Sequence, residues 1–184
     1  TEESVNRTIS SVIIQSVPTS GSARRGVDKD SEGLLLMTNN GDIINKMMRA
    51  GNYHEKEYLV TVNKPMTDTF LEKMAGGVPI LDTVTRPCQI KKEGKRTFRI
   101  ILTQGLNRQI RRMCEALGYQ VITLKRVRIM GVRLGDLKPG QYRKLTEQEL
   151  EELSSMLEYS TNQPVKVRRS TGRRERKGNR RPRT

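Results

Sequence analysis

The sequence predicts an α+β fold with a mainly antiparallel mixed sheet and flanking helices. Residues 57–63 and 96–103 alternate apolar with polar side chains, which is typical of half-buried strands. Residues 107–118 and 146–157 instead repeat apolar side chains at helical spacing, which is typical of helices packed on a core. Strands and helices follow one another without strict β-α-β order, and this favours antiparallel pairing.

The length of 184 residues fits one domain flanked by tails. We assign residues 26–159 to that domain and leave residues 1–25 unassigned, although Val12-Ile-Ile14 is apolar enough for a short strand. Residues 160–184 are polar and then strongly basic, so we expect a tail that is disordered in the free protein.

The first half of the domain contains two predicted strands, each followed by a helix. Residues 34–38 form an apolar run that suits a buried strand, and the turn ending at Gly41 leads into an amphipathic helix. After the strand at 57–63, Thr67 is the expected N-cap of a second helix, which the glycine pair 76–77 should end.

The helix at 107–118 has the clearest pattern. Asn107 is its expected N-cap, and Gly118 suits the position just after its end. Its predicted core stripe consists of four residues: Ile110, Met113, Cys114 and Leu117.

Short strands and one capped helix complete the predicted order. Residues 78–92 suggest short strands, residues 118–130 one or two more, and residues 132–134 another. Thr146 and Glu149 have the spacing of a capping box at the start of the last helix.

The charge indicates an anionic polymer as partner. Of 35 Lys and Arg residues, ten lie between Lys166 and Arg183, where Glu175 is the only acid. The tail from residue 164 therefore supplies +9 of the net charge of +15, and the remaining body carries +6. Nucleic acid is the leading candidate, although a basic body is also compatible with an ordinary solvated surface.

Several classes of protein and site are disfavoured by the composition. The sequence has no apolar run near the ~18 residues of a membrane span and no secretory signal pattern at its N-terminus. Cys88 and Cys114 lack metal-ligand spacing, and His54 is the only histidine. We therefore expect a cytoplasmic protein with reduced thiols, no metal site and no histidine-based triad.

An acidic turn, Asp28-Lys-Asp-Ser-Glu-Gly33, stands out in this basic chain. Its basic surroundings should keep a carboxylate ionised, which makes Asp28 and Asp30 candidate nucleophiles or bases. A simple turn-forming role is the alternative for both residues.

The helix after Asn107 carries a second, charged stripe made of Arg108, Arg111, Arg112 and Glu115. Cations in the first turns oppose the helix dipole, at a cost of roughly a few tenths of a kcal/mol to 1 kcal/mol each. The stripe therefore predicts an anionic partner, either a protein carboxylate or phosphate, with a solvated cationic face as the alternative.

Three further residues have both functional and structural interpretations. Tyr58 suits base stacking or proton transfer, but a half-buried core role is common for a strand tyrosine. His54 lies in a polar loop and is expected at the surface, and Cys114 is expected in the core.

Three motifs in this order closely resemble the ribosomal RNA pseudouridine synthases. They are DKDSEGLLLMTNNGD at 28–42, HEKEYLV at 54–60 and GLNRQIRRM at 105–113. The branch of the family is the one that contains the small-subunit enzyme and large-subunit synthases B, E and F. The resemblance spans about residues 26–155 and implies isomerisation of a chosen uridine, in 23S rRNA, to pseudouridine.

The resemblance also implies roles for individual residues. The family nucleophile maps onto Asp28, and the tyrosine placed under the target base maps onto Tyr58. The arginine that pairs with the catalytic aspartate maps onto Arg111. An arginine of this kind would hold the aspartate at low pKa and in a fixed position. The target uridine would be flipped out of its helix, and neither a metal nor an organic cofactor is implied.

With this assignment, five basic residues become expected phosphate contacts: Arg108, Arg112, Lys125, Arg126 and Arg128. The expected partner is then rRNA. We expect the protein to bind it as a monomer and to have no membrane partner.

The chain differs from the family pattern upstream of Asp28. Family members usually read Gly-Arg-Leu-Asp, where this chain has Arg25-Gly26-Val27-Asp28. They also carry an N-terminal S4-type RNA-binding module, which residues 1–25 do not resemble. We therefore expect an N-terminally truncated form, and a non-catalytic RNA-binding remnant is the alternative function. A DNA-binding or ribosome-structural protein would fit the charge but leaves the acidic motif unexplained.

Overall fold

The computed structural model describes residues 13–17, 31–38, 41–158 and 160. Ten strands, four α-helices and a 3₁₀ turn at Ala50–Asn52 lie within these residues. The strands are β1 Ile13–Val17, β2 Glu32–Met37, β3 Lys56–Val62, β4 Pro79–Ile80, β5 Thr83–Val84, β6 Gln89–Lys92, β7 Thr97–Leu102, β8 Val121–Ile129, β9 Val132–Arg133 and β10 Tyr142–Lys144. The helices are α1 Gly41–Met48, α2 Asp68–Gly76, α3 Gln109–Ala116 and α4 Glu147–Glu158.

The main sheet has the strand order β10-β1-β2-β8-β3-β7-β6, and β9 extends it by pairing with β8. The pair β2–β8 is parallel, whereas the other described pairs are antiparallel. The predicted mixed, mainly antiparallel α+β fold is therefore confirmed. Strand β1 lies in residues 1–25, which the sequence left unassigned. It pairs with β10 on one side and with β2 on the other.

The parallel contact between β2 and β8 depends on Gly33. Its φ of +104° is a conformation that L side chains rarely adopt. A Cβ atom built on Gly33 would lie 2.2 Å from the carbonyl oxygen of Arg126. Only glycine therefore allows the two backbones to approach this closely.

Two hydrophobic clusters lie on the sheet. The first packs α2 and α3 against β3 and β7, with Phe98, Met74 and Met113 fully buried. The second packs α1 and α4 against β2 and the end of β8, with Leu34 and Met47 fully buried. The region of the sheet between these two helix pairs is left open for a cleft.

Two of the three predicted N-caps are confirmed. The Thr67 Oγ1 accepts from the backbone N–H of Phe70 at 3.1 Å. Thr146 and Glu149 form the reciprocal capping box, with bonds of 2.9 and 3.2 Å.

The predicted N-cap at Asn107 is wrong. Arg108 occupies that position in a left-handed conformation (φ +49°), without a side-chain cap bond. The Asn107 side chain instead accepts from the Nη2 of Arg112, and the Gln109 Oε1 reaches back to the Leu106 N–H. The end of the helix is as predicted, because Gly118 follows it with φ +78°.

Strand β8 is a single strand of nine residues that contains a bulge. Glu57 pairs with Arg128 and Tyr58 pairs with Arg126, so Val127 is the extra residue. In a regular strand Arg126 and Arg128 would share a face. The bulge places Arg126 on the face of the helices and Arg128 on the opposite face, beside Glu57.

Candidate active site

A pocket of 450 Å³ occupies the open part of the sheet. Its floor is formed by residues of β3, β7 and β8, and its walls by α1 and by the loop that enters α3. The lining residues with polar side chains are Ser31, Glu32, Asn45, Lys56, Tyr58, Gln104, Asn107, Arg108, Gln109 and Arg126.

The pocket brings together the three motifs that are far apart in the sequence. Ser31 and Glu32 come from the acidic motif, Lys56 and Tyr58 from the tyrosine motif, and Arg108 from the arginine motif. Each motif contributes the end of a regular element: the start of β2, the start of β3 or the N-terminus of α3. Such element ends hold side chains more rigidly than free loops do.

Tyr58 lies where the pocket meets the first hydrophobic cluster. Its side chain is half-buried and packs against that cluster. Across the strand pair it faces Arg126, so the phenol and the guanidinium lie side by side on the pocket face. This position suits a ring on which a planar ligand stacks.

Two cations are buried in the pocket, at Lys56 and Arg126, which are 3% and 2% exposed. The Lys56 Nζ donates to the carbonyl oxygen of His54 at 3.2 Å, and the Arg126 Nε donates to that of Leu34 at 2.9 Å. Burial, together with the positive charge of Arg126, lowers the pKa of Lys56 to about 8.

The three arginines of the third motif have different environments. Arg108 lines the pocket, and the Arg112 Nε donates to the carbonyl oxygen of Asn107 at 3.1 Å. Arg111 is 7% exposed, and its Nη1 lies 3.5 Å from the carbonyl oxygen of Val121. The predicted pairing of Arg111 with Asp28 is not tested, because Asp28 lies outside the described residues.

Asp30 also lies outside the described residues. Ser31, the residue after it, is 7% exposed and lines the pocket. The acidic motif therefore enters the pocket at Ser31 and continues through Glu32 into β2.

The predicted RNA contacts on β8 have unequal exposure. Lys125 is half-buried and is not among the described residues that line the pocket. Arg128 pairs with Glu57 at 2.6 Å and with Glu55 at 3.0 Å. Arg126 is buried, not exposed as a phosphate contact on an open surface would be. RNA binding by these three residues stays a prediction, and the geometry favours a structural role for Arg128.

Sequence reasoning missed Lys56, Asn45 and Gln109 as pocket residues. The alternation of β3 contains a signal for the first, because Lys56 lies two residues before Tyr58 and so shares its face. Asn45 reaches the pocket only through the packing of α1, which no local pattern reveals.

The remaining titratable candidates are structural. The His54 Nε2 lies 2.6 Å from the Ser160 Oγ, and burial and the nearby Lys56 charge lower its pKa. Burial raises the pKa of Cys88 to about 11 and that of Cys114 to about 12, so both thiols stay protonated.

Neither a metal site nor a membrane span is present in the part of the chain that the structure describes. The carboxylates, thiols and imidazole there form no group of three that could hold a metal ion. None of the described helices is long and apolar enough to cross a bilayer.

Comparisons with known proteins identify the family of this chain. Residues 24–116, about half of the chain, match the family model described as RNA pseudouridylate synthase. Over 137 residues the chain is 57% identical to "Dual-specificity RNA pseudouridine synthase RluF" of Salmonella typhi, covering 74% of this chain and 47% of the relative. The chain thus spans about half the length of that relative.

More distant relatives agree as well. The chain is 36% identical over 127 residues to "Ribosomal small subunit pseudouridine synthase A" of Escherichia coli strain K12, covering 67% of this chain and 55% of the relative. A solved structure titled "Crystal structure of pseudouridylate synthase" superposes with a TM-score of 0.71 at 25% identity, covering 78% of this chain and 73% of the other. The family predicted from the three motifs is confirmed: the chain belongs to the RNA pseudouridylate synthases.

Proposed function

We propose that this chain isomerises a specific uridine of ribosomal RNA to pseudouridine, with 23S rRNA as the substrate. The observation that carries the proposal is the convergence of the three motifs on one pocket. The proposed enzyme acts in the cytoplasm as a monomer and uses neither a metal ion nor an organic cofactor. The catalytic domain is proposed to span residues 26–159, joined by the strand Ile13–Val17 that pairs within its sheet, with residues 160–184 as a basic RNA-binding tail.

The pocket has the chemistry that a flipped uridine requires. A volume of 450 Å³ lies in the size range of small-ligand sites and is large enough for one nucleotide. Its floor includes the apolar side chains of Leu102 and Leu124, which suit a base ring, and its polar rim includes Asn107 and Arg108. Extruding the base from an RNA helix costs roughly a few kcal/mol, which contacts inside such a pocket offset.

Asp28 is the proposed nucleophile. It precedes Ser31 by three residues, and a stretch of that length spans at most about 11 Å. Its carboxylate would act either at C6 of the base or at the ribose. Arg111 is the proposed partner that holds this carboxylate ionised and in place. Tyr58 is the proposed ring beneath the base.

The net reaction moves the glycosidic bond within one nucleotide. The bond between N1 and C1′ breaks, the uracil turns, and a bond forms between C5 and C1′. The proton on C5 leaves, and N1 gains a proton, so the product is an isomer of the substrate. Loss of the proton on C5 provides a direct assay.

The substitution Asp28→Asn tests this proposal. It removes the nucleophile while keeping the size and polarity of the side chain, so pseudouridine formation should stop while rRNA binding persists. Release of tritium from 23S rRNA labelled at C5 of uridine measures turnover, and filter binding measures affinity.

Asp30→Asn is the matched control and should leave turnover near the wild-type level. Equal rates for Asp28→Asn and wild type would refute the nucleophile assignment. Binding without tritium release by the wild-type chain would instead support the non-catalytic RNA-binding remnant.

A further inference from the structure

Lys56 is a buried cation that uses one of its three donors within the part of the chain that the structure describes. It lines the pocket, and only 3% of its surface is exposed. An ammonium group has three N–H donors, and the bond to the His54 carbonyl oxygen uses one of them. Among the described residues no carboxylate forms an ion pair with Lys56. The described residues therefore leave two of its donors to other partners inside the pocket.

Burying such an ammonium group is costly. An unpaired charge in the interior loses its hydration, and the neighbouring Arg126 adds repulsion. One hydrogen bond to a carbonyl oxygen stabilises the fold only slightly, and a neutral donor would form it equally well. A methionine of similar shape would be easier to bury. Contacts with the described residues therefore do not account for the cation.

The charged and titratable groups around Lys56 come from several elements. On the pocket lining, β2 contributes Glu32, β3 Tyr58, β8 Arg126 and the entrance of α3 Arg108, while His54 precedes Lys56 in the chain. The other contributing elements, α1 and β7, place the uncharged Asn45, Met48 and Leu102 there. Among these described residues cations outnumber carboxylates, so this part of the lining attracts negative charge.

We propose that Lys56 is a catalytic residue whose ammonium donates to a carbonyl oxygen of the target uracil. This inference rests on the proposed function. Lys56 and Tyr58 share one face of β3, so a base stacked on the tyrosine lies beside the ammonium. When a nucleotide flips, its base enters the pocket while its phosphates remain on the RNA backbone at the protein surface. The base is therefore the part of the nucleotide that reaches a buried side chain.

The contact becomes stronger as the reaction proceeds. When the bond between N1 and C1′ breaks, its electron pair leaves on the uracil, whose charge spreads over O2 and O4. A fixed ammonium at one of these oxygens stabilises that anion more than the neutral base. The same electron pair becomes available at C5 for the new bond to C1′, and no proton needs to leave Lys56.

Lys56→Met tests the inference, because it removes charge and donors while keeping length. Turnover of labelled 23S rRNA should fall about 100-fold or more, mainly in kcat. Lys73→Met, at an exposed position of α2, is the matched control and should keep the wild-type rate. Urea denaturation confirms folding, and the Met variant should be at least as stable as wild type.

The pH profile separates a catalytic role from a structural one. The protonated form is the active one and the pKa of Lys56 is about 8, so wild-type kcat/KM should decline as the pH rises through 8. Lys56→Arg should restore part of the rate and move this decline to higher pH. All variants use the same RNA, so titration of the RNA cancels in the comparison. Wild-type turnover by Lys56→Met, or one shared decline in all variants, would overturn the inference.

A second measurement is independent of turnover. In the Asp28→Asn chain, the NMR signal of the Lys56 ammonium should shift when uridine 5′-monophosphate is added, and that of Lys73 should not. An unshifted Lys56 signal at saturating nucleotide would rule out the contact, whatever the tritium assay shows. A shift without wild-type turnover would instead keep the contact and reject the proposed isomerase.

Discussion

At the scale of single residues, Glu57 explains how charge is distributed over the two faces of the sheet. Burial alone would raise its pKa, but hydrogen bonds from Arg128 and Arg99 outweigh burial and leave the pKa lowered. The bonds measure 2.6 Å to Arg128 and 3.1 Å to Arg99. This one carboxylate therefore joins β3 to both neighbouring strands on the face away from the pocket.

Glu57→Gln should lower the free energy of unfolding at pH 7 by about 2–3 kcal/mol, because it leaves Arg128 half-paired near the interior. Glu93→Gln, which breaks a more exposed pair with Arg99, is the control and should cost less than about 1 kcal/mol. Urea denaturation measures both. Similar losses in the two variants would contradict the special role of Glu57.

The pH dependence of the Glu57 contribution has a definite sign. The pKa is lowered in the folded chain, so the stabilisation is complete above the ordinary value of 4.5 and is lost as the pH falls through the lowered value. The difference in unfolding free energy between wild type and Glu57→Gln should therefore shrink below about pH 4.5. A difference that stays constant on acidification would show that Glu57 is not the titrating group.

At the scale of elements, the β2–β8 contact connects the acidic motif to the rest of the pocket. The pairing is short, with Glu32 opposite Lys125 and Gly33 opposite Arg126. Because β2 starts with the pocket residue Glu32, its register against β8 sets where the acidic motif enters. The glycine of the first motif therefore has a backbone role as well as a place in a family pattern.

Gly33→Ala should lower the free energy of unfolding by more than about 2 kcal/mol, since the new Cβ meets the Arg126 backbone and φ is positive. Gly76→Ala, at the open end of α2, is the matched control and should be neutral or stabilising by up to about 1 kcal/mol. The urea midpoints of the two variants, compared with that of the wild type, measure these changes in stability. A neutral Gly33→Ala would show that β2 and β8 separate easily.

At the scale of the whole molecule, the C-terminal tail carries most of the net positive charge. Residues 166–183 carry ten basic side chains against one acid, and a chain of this composition gains affinity for RNA by releasing counterions. The pocket itself is small, and its volume of 450 Å³ suits the single nucleotide of the proposed function. We expect the tail to provide sequence-independent affinity and the domain to provide site choice.

Replacing the ten basic residues by serine should weaken rRNA binding and reduce its salt dependence. Log K falls as log salt rises, and each lost phosphate contact should make this negative slope shallower by about 0.7–0.9. A scrambled tail of the same composition is the control and should keep the slope. Titrations at several salt concentrations test this, and an unchanged slope after the serine replacement would show that the tail does not touch RNA.

Much of the architecture was predictable because it depends on local chemistry. The alternation at Phe98, Ile100 and Leu102 requires only a strand with one buried face, and the Thr67 and Thr146 caps require only their own turns. The order of three motifs likewise sufficed for the family.

Other features arise only when distant segments meet, so no window of sequence contains them. The extra residue Val127 in β8 is visible only against β3, and it decides which arginine enters the pocket. The N-cap position lies at Arg108, where the Gln109 Oε1 accepts from the Leu106 N–H and the Asn107 Oδ1 accepts from Arg112. The sequence by itself thus determined most of the elements and the family, through short-range periodicity and motif order, but it left β1 unassigned and gave no sign of β10. Tertiary structure decided the parallel β2–β8 contact and the burial of Lys56, because both depend on backbones that are far apart along the chain.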